Sequence, residues 1–142
     1  MEFSKLSPHQ TYPVRSAVLR PGLAIESCMF EGDDLATTHH FGLIDEGEVV
    51  AIASLYQAKL EGKAGLQLRG MAVLEHYQGL GLGAKLLIQV EQQAAKLTDL
   101  LWANARTGAA RFYFKLGYSQ ASEVFDIAGV GPHIKISKAL AD

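Results

Sequence analysis

The sequence predicts a single α/β (α+β) domain built on a mixed, mostly antiparallel sheet, with a central parallel β-α-β crossover and helices on both faces. Two β-prone runs, residues 40–44 and 49–56, flank a turn that contains Gly47, which is the pattern of an antiparallel hairpin. A long amphipathic helix pattern over residues 82–97 separates two further strand-like runs. Since a strand, a helix and a strand in succession form a right-handed parallel crossover, the sheet should contain both kinds of pairing.

One helix is predicted in the N-terminal third of the chain. Apolar residues recur at helical spacing over residues 12–19, and Arg20-Pro21-Gly22 ends the pattern. Residues 26–38 are polar and rich in turn formers, so we expect a surface connection there.

The strand that follows the hairpin covers residues 66–74, where apolar side chains alternate with others. Gly70 lies inside this strand, and a glycine at such a position indicates a β-bulge or a close backbone approach. The helix at 82–97 is followed by a short buried strand that ends at Asn104, and then by a second helix that Gly117 ends. Two closing strands are expected at residues 123–127 and 133–136.

Composition is that of an ordinary globular protein. The chain has 142 residues, of which 49% are hydrophobic and 20% charged, and a formal net charge of -2, so we expect one domain that spans residues 1–142. Lys and Arg form no runs, which argues against nucleic acid or a membrane as a partner. Residues 1–10 lack the pattern of a secretory signal, and the single cysteine, Cys28, cannot form an internal disulfide, so we expect a cytoplasmic location.

The most informative motif is the glycine-rich turn Gln78-Gly79-Leu80-Gly81-Leu82-Gly83-Ala84. Glycine adopts positive φ angles and lets a ligand approach the backbone without a clash at Cβ. The helix that follows leaves its first N–H groups unpaired, and these donors attract phosphate together with the partial positive charge of the helix start. The turn therefore predicts a phosphate-binding loop.

Other known turns fit this segment less well. A P-loop needs Lys-Ser or Lys-Thr directly after its last glycine, and this pair does not follow Gly83. The dinucleotide fingerprint is a nearer alternative, because Gly79-x-Gly81-x-x-Ala84 satisfies its relaxed form. Against it, the turn lies mid-chain after a hairpin, and the next strand ends at Asn104 instead of at an acidic residue. A glycine-rich helix start that binds no ligand is the remaining alternative.

The segment Gln78-x-x-Gly81-x-Gly83, preceded by Met71-Ala72-Val73 on a strand, resembles the pyrophosphate motif of the GCN5-related N-acetyltransferases (GNAT). In that family the motif is Gln or Arg, two residues, Gly, one residue, and Gly or Ala. The similarity in motifs covers residues 66–118 and agrees with the order of the hairpin and the closing strands. Further landmarks of the family are matched by Asn104, Ala109, Phe112-Tyr113 and Leu116-Gly117-Tyr118.

The resemblance implies that acetyl-CoA lies in a V-shaped opening between the strands at residues 66–74 and 100–104. The backbone of Met71-Ala72-Val73 would hold the pantetheine arm and the thioester carbonyl, and the glycine-rich turn would hold the pyrophosphate. The family also places an asparagine such as Asn104 beside the arm. Tyr113 resembles its general acid, which returns a proton to the leaving thiolate, and a phenol is protonated at neutral pH.

The base that takes a proton from the amine does not follow the family pattern. Members often use Glu or Asp on the strand that carries the arm, but residues 66–74 contain Arg69 and no carboxylate. We select His40 as the candidate base, because imidazole titrates near neutrality. The alternatives are His39, Glu26, Glu31 and an ordered water.

No metal site is predicted, because His39 and His40 have no partners at a ligand spacing. Cys28 is not predicted to be a nucleophile, since the sequence shows no activating base for it.

The chain is therefore predicted to be an acyl-CoA-dependent N-acyltransferase that transfers acetyl from acetyl-CoA to a primary amine by direct attack in a ternary complex. One alternative is a CoA-binding or regulatory module that has lost catalysis, and another is a nucleotide-binding domain. The acceptor would be a small-molecule or peptide amine. The hydrophobic hairpins could also support a homodimer.

Overall fold

The computed structural model describes residues 1–141 and contains one eight-stranded sheet. Its strands are β1 (Glu2–Leu6), β2 (His39–Asp45), β3 (Glu48–Gln57), β4 (Leu66–Val73), β5 (Leu100–Arg106), β6 (Ser119–Gln120), β7 (Phe125–Ile127) and β8 (Gly131–Ala139). Its α-helices are α1 (Pro8–Val14), α2 (Leu82–Ala94) and α3 (Ala110–Lys115). The strand order is β1-β2-β3-β4-β5-β8-β6, and β7 also pairs with β8. Only β4 and β5 pair in parallel within residues 1–141, which confirms the predicted mixed sheet and its β4-α2-β5 crossover.

Helices α1 and α2 pack on opposite faces of this sheet. Ala53 of β3 belongs to the apolar cluster that includes Leu86 of α2. Its neighbour Ile52 belongs to a second cluster with Val14 of α1 and Ala72 of β4. Successive side chains of a strand point to opposite faces, so the two clusters lie on the two sides of the sheet, as predicted. In the described part of the chain, no helix is both long and apolar enough to cross a membrane.

Helix α1 begins at Pro8 instead of at residue 12. The Ser7 N–H donates to the side-chain oxygen of Gln10 at 2.7 Å, and proline is suited to the first helical position because it has no N–H to leave unpaired. The helix continues beyond Val14 as a π-helical turn over Arg15–Leu19.

Two features of the N-terminal third differ from the sequence-based expectation. Strand β1 was not predicted, and it adds an edge strand of five residues antiparallel to β2. The surface connection predicted at residues 26–38 is wrong in part, because Cys28 and Asp33 are only 0% and 5% exposed. Asp33 is buried because it has a buried cationic partner, described below.

The C-terminal half follows the prediction closely. Helix α2 ends at Ala94, so that Leu97, which was predicted to lie in the helix, is 57% exposed. Strand β5 continues beyond Asn104 to Arg106, where it pairs with β8. The two predicted closing strands correspond to β7 and β8.

Strand β4 carries a β-bulge at the predicted position. The register between β3 and β4 shifts by one residue there, so that Ala53 faces both Gly70 and Met71. Gly70 has a φ of 65°, a conformation that glycine adopts without strain. Because a bulge bends its strand and increases the local twist, it turns the second half of β4 away from β5.

The parallel pairing between β4 and β5 is correspondingly short. It consists of Leu66 with Leu101 and Gln67 with Trp102. Beyond these pairs the strands diverge, and residues 68–73 pair with a strand only on the β3 side within the described chain. We call the V-shaped opening between residues 68–73 of β4 and residues 103–106 of β5 the cofactor cleft.

Replacing Gly70 should test whether the bulge requires glycine. A Cβ there would lie 3.1 Å from Cε2 of Phe30 and would be held at a positive φ. We expect Gly70→Ala to lower the free energy of unfolding by about 1–3 kcal/mol in urea denaturation. Gly108→Ala is the control, because its Cβ would meet nothing within 4 Å and its φ is not positive. Equal stability of the two variants would contradict a strained bulge.

Candidate active site

The glycine-rich turn forms an open cradle of backbone N–H groups at the start of α2. Gly79 and Gly81 have φ angles of 79° and 77°, and Gly81 is the N-cap of the helix. A Cβ at either position would meet no atom within 4 Å. The N–H groups of residues 79–84 donate to no acceptor within the described chain. A helix start with free, unobstructed donors is suited to bind a phosphate group.

Tertiary packing brings this cradle to the mouth of the cofactor cleft. A Cβ on Gly83 would lie 3.5 Å from Cε of Met71 on β4 and 3.6 Å from Cζ of Phe112 on α3. The start of α2 therefore lies directly between the second half of β4 and helix α3. Gln78 also ties the turn to β4, because its side-chain Nε2 donates to the carbonyl oxygen of Val73 at 2.9 Å.

Tyr113 lies on α3 next to this junction. Its ring makes edge-to-face contacts with Phe112 and Tyr118, with centroids 5.1 and 5.6 Å apart. Burial raises the pKa of the Tyr113 hydroxyl above its usual value, so the group is protonated at neutral pH. The hydroxyl has no hydrogen-bond partner among residues 1–141, which leaves its proton available to a ligand.

Asn104 lies on β5 on the side of the sheet away from α2. Its Oδ1 accepts a hydrogen bond from Nζ of Lys135 at 3.0 Å. That ammonium group also lies 4.8 Å from the ring centroid of Trp102 and 5.1 Å from that of Phe125. The carboxamide is thus oriented by a cation that two aromatic rings hold in place.

A buried ion pair supports the α1 side of β3 and β4. The Arg15 side chain is fully buried, and its Nη1 donates to Oδ2 of Asp33 at 2.7 Å and to the carbonyl oxygen of Cys28 at 2.8 Å. Its Nη2 donates to the other Asp33 oxygen, to Ser54 and to Tyr56, each at 3.2 Å. The guanidinium therefore joins the π-helical turn to the loop at residue 33 and to strand β3.

The surroundings shift the pKa values of this network in opposite directions. Burial alone would raise the pKa of Asp33, but hydrogen bonds from Arg15, from the Tyr56 hydroxyl and from the Phe30 N–H bring it below its usual value. Burial and the hydrogen bond to Asp33 raise the pKa of Tyr56 to about 12. Asp33 is thus an ionised acceptor and Tyr56 a neutral donor at neutral pH.

His40 belongs to the same buried network. Its Nδ1 lies 2.7 Å from Oγ of Ser54, and its Nε2 lies 3.0 Å from the backbone carbonyl oxygen of Asp33. Because a carbonyl only accepts, Nε2 carries a hydrogen, and in the neutral ring Nδ1 accepts from the serine hydroxyl. His40 is 4% exposed, so its role as a base, which stays a prediction, would require it to give up the bond from Ser54.

The sequence did not reveal this network. The one signal was Arg15 itself, a charged residue on the apolar stripe of the predicted helix, between Val14 and Val18. A buried charge needs a partner, but nothing in the chain order indicates that Asp33 provides it.

Two cavities lie outside the cradle. One of about 580 Å³ is lined by residues 36, 37 and 39, by the β3–β4 connection with Lys59, and by Leu97 and Thr98 between α2 and β5. The other, of about 520 Å³, is lined by α1 and β3, including Gln10 and Glu48. Neither contains a residue of the glycine-rich turn, which is consistent with a cradle on the open surface. Residues 1–141 contain no group of three or more His, Cys, Asp or Glu side chains that could hold a metal; the expectation of no metal stays a prediction.

Comparison with known proteins is consistent with these features. Residues 36–120 match the family model described as acetyltransferase (GNAT) domain. The uncharacterised N-acetyltransferase YitI of Bacillus subtilis (strain 168) is 35% identical over 144 residues, which cover 99% of this chain and 97% of that protein.

Solved structures share the fold at low sequence identity. The ribosomal-protein-S18-alanine N-acetyltransferase from Escherichia coli superposes with a TM-score of 0.79 at 20% identity, covering 99% of this chain and 94% of that one. An aminoglycoside 6'-N-acetyltransferase complexed with coenzyme A gives a TM-score of 0.79 at 16% identity, covering 100% and 98%.

The buried ion pair makes a testable contribution to stability. Asp33→Asn would leave the Arg15 charge buried without a counter-ion, so we expect the free energy of unfolding at pH 7 to fall by about 3–5 kcal/mol in urea denaturation. Asp34→Asn removes the same charge from an exposed neighbour and should change it by less than about 0.5 kcal/mol. Similar losses in the two variants would contradict a buried pair.

The difference between wild type and Asp33→Asn should also depend on pH. The folded-state pKa of Asp33 lies below its usual value, and that of the unfolded state is about 3.9. The ionised carboxylate therefore stabilises the fold fully above the unfolded-state pKa, and this stabilisation is lost as pH falls through the lower folded-state pKa. A difference that grew on acidification would contradict the assignment.

Proposed function

We propose, since this chain belongs to the GNAT acetyltransferase family, that it transfers the acetyl group of acetyl-CoA to a primary amine by direct attack in a ternary complex. The observation that supports this most is the open cradle at residues 79–84 beside a cofactor cleft where, among the described residues, β4 has no strand partner on its β5 side. The acceptor would be a small-molecule or peptide amine. The location we propose is the cytoplasm, where the free, buried Cys28 would remain reduced.

The residues of the cradle fit a pyrophosphate group. Gly79 and Gly81 have positive φ angles that glycine adopts without strain, and no protein atom lies within 4 Å of a Cβ built on either residue, so the turn is open to a ligand. N–H donors and the positive end of the α2 dipole stabilise the same negative charge. We assign the pyrophosphate to the N–H groups of residues 79–84, with Gln78 fixing the turn against β4.

The second half of β4 fits an extended ligand arm. Beyond Gln67 its β5-facing backbone groups have no strand partner in the described chain, and an extended chain can pair with such an edge. We propose that the backbone of Met71, Ala72 and Val73 binds the pantetheine arm and that Asn104 borders it from β5. An N–H near Val73 would stabilise the charge that develops on the thioester oxygen.

Tyr113 is the proposed general acid. Acetyl-CoA would supply an activated thioester, whose carbon–sulfur bond would break after the amine nitrogen has bonded to the carbonyl carbon. The Tyr113 O–H would give its proton to the leaving sulfur. Burial raises the pKa of Tyr113 and so keeps the hydroxyl protonated, and this hydroxyl has no partner among the described residues.

The amine must also lose a proton. His40 could accept this proton at Nδ1 only after the bond from Ser54 breaks. We therefore propose water in the cleft as the first candidate for the base and His40 as the second. The absence of a carboxylate on β4, which carries Arg69 instead, also favours a second function, a CoA-binding module without catalysis.

Ligand-dependent melting tests the cradle. Acetyl-CoA at about 100 times its Kd should raise the Tm by roughly 5–10 °C. We expect Gly81→Ala to weaken binding at least about 10-fold, because a residue with a Cβ is strained at the φ of 77° that orients the N–H groups of the cradle. Gly62→Ala is matched in φ, at 79°, and in open surroundings, but it lies in the β3–β4 loop and should bind normally. Stabilisation by NAD alone would contradict the proposal and favour the dinucleotide alternative.

Replacing Tyr113 separates an enzyme from a binding module. Tyr113→Phe should lower kcat by about 10²- to 10⁴-fold while the KM for acetyl-CoA changes little. In wild type, the acid should remain protonated at neutral pH, because burial raises the pKa of Tyr113 above its usual value. The readout is free thiol released in the presence of amines.

Two further variants complete this measurement, one as a control and one to identify the base. Tyr118→Phe removes a neighbouring hydroxyl that is bonded to Glu91 at 2.6 Å, and it should retain kcat. His40→Ala should leave the acidic limb of the kcat/KM profile unchanged if water takes the amine proton, whereas loss of that limb would assign the base to His40. Thiol release by Tyr113→Phe at the wild-type rate would exclude Tyr113 as the acid.

A further inference from the structure

We propose that the amine acceptor also carries an anionic group, a carboxylate or a phosphate, and that Arg69 binds it with help from Arg20. This inference rests on the proposed function and specifies its acceptor. The site is the Phe30 cluster, which we define as the Phe30 ring and the guanidinium groups of Arg15, Arg20 and Arg69 around it.

The Phe30 cluster carries more positive charge than the chain neutralises. The guanidinium carbons of Arg15, Arg20 and Arg69 lie 3.9, 5.3 and 5.6 Å from the ring centroid. Asp33 pairs with Arg15. Within residues 1–141 neither Arg20 nor Arg69 has a carboxylate oxygen within 4.0 Å, although Glu31 is adjacent to Phe30 in sequence. Nη1 of Arg20 donates to the backbone carbonyl oxygen of Leu19 at 3.0 Å, so Arg20 and Arg69 both lack an ion-pair partner among the described residues.

The cluster lies at the bulge that shapes the cofactor cleft. A Cβ on Gly70 would be 3.1 Å from Cε2 of Phe30 and 3.6 Å from Nε of Arg15. This Nε is the one buried side-chain nitrogen or oxygen in the described chain that has no hydrogen-bond partner. Arg69 directly precedes Gly70 and so belongs to the strand whose backbone at residues 71–73 we assign to the cofactor arm.

The Arg69 side chain is held in a conformation suited to binding. It is exposed, and its guanidinium carbon lies 4.8 Å from the Tyr56 ring centroid as well as beside Phe30. Aromatic contacts restrict a guanidinium without using its N–H donors, so little side-chain entropy remains to be lost when an anion binds. Its fork of donors matches the two oxygens of a carboxylate or a phosphate.

The same charges would assist the reaction. Positive neighbours disfavour the ammonium form of the acceptor, so they lower the pKa of its amine and raise the fraction with a free lone pair. This effect would compensate in part for the missing carboxylate on β4. A second cationic group on the acceptor would be repelled.

Four amines of similar size test the inference: ethanolamine, 1,3-diaminopropane, β-alanine and phosphoethanolamine. We expect kcat/KM to be at least about 10-fold higher for β-alanine or phosphoethanolamine than for ethanolamine, and lowest for the diamine. The comparison of β-alanine with phosphoethanolamine shows which anion is preferred. Equal or higher activity with ethanolamine or the diamine would overturn the inference.

Arg69→Gln should lower kcat/KM for the preferred anionic amine by about 10- to 100-fold, the effect of one charge-assisted interaction. Its loss of activity with ethanolamine, which carries no anionic group, should be clearly smaller, and its stabilisation by acetyl-CoA should stay at the wild-type level. Lys63→Gln removes the same charge from an exposed residue in the β3–β4 loop. It should leave kcat/KM unchanged for the anionic amine and for ethanolamine. An equal loss for all four amines in Arg69→Gln would overturn the assignment.

Binding is measured separately from turnover, as the increase in Tm that each amine adds to the CoA-saturated protein. Protection by β-alanine or phosphoethanolamine that Arg69→Gln abolishes would support the inference even without thiol release, and protection by neither would overturn it. Failure of the proposed function gives a different result: either acetyl-CoA itself does not raise the Tm, or it raises the Tm and none of the four amines releases thiol.

Discussion

The short parallel contact between β4 and β5 is the constraint on which the candidate site depends. The pairs Leu66–Leu101 and Gln67–Trp102 join the two halves of the sheet. The bulge at Gly70 turns the rest of β4 away from β5. A longer ladder would satisfy the β4 backbone and close the cleft, whereas no ladder would separate the two halves of the sheet. The bulge thus provides free backbone groups inside a continuous sheet.

The two sides of the cleft are built from different chemical groups. The side proposed for the cofactor consists of backbone: the N–H groups at the start of α2 and the free edge of β4. The opposite side consists of charged and aromatic side chains fixed by the Arg15–Asp33 pair, which anchors the loop that carries Phe30. Backbone donors recognise a phosphate whatever side chains surround them, so the acceptor can change without altering the cofactor side.

This division also bears on how the amine becomes reactive. A carboxylate on β4 would attract an ammonium group and remove its proton, but this chain has Arg69 there. With Arg20 and Arg69 beside the Phe30 ring, the surroundings would favour the neutral form of the proposed amine by electrostatics, and water would carry its proton away. The same charges would select the acceptor, so specificity and activation would come from one feature.

Elements that depend on neighbouring residues could be predicted from the sequence. The turn around Gly81, the face of α2 and the glycine at the bulge are readable because a helix period, a positive φ and a free helix start involve neighbouring residues. The folded structure was needed to show that Arg15 and Asp33 are buried together. It also showed that both ring nitrogens of His40 have hydrogen-bond partners and that Arg69 lies beside Phe30. These contacts join residues distant in the chain, and their burial depends on partners that no local pattern identifies.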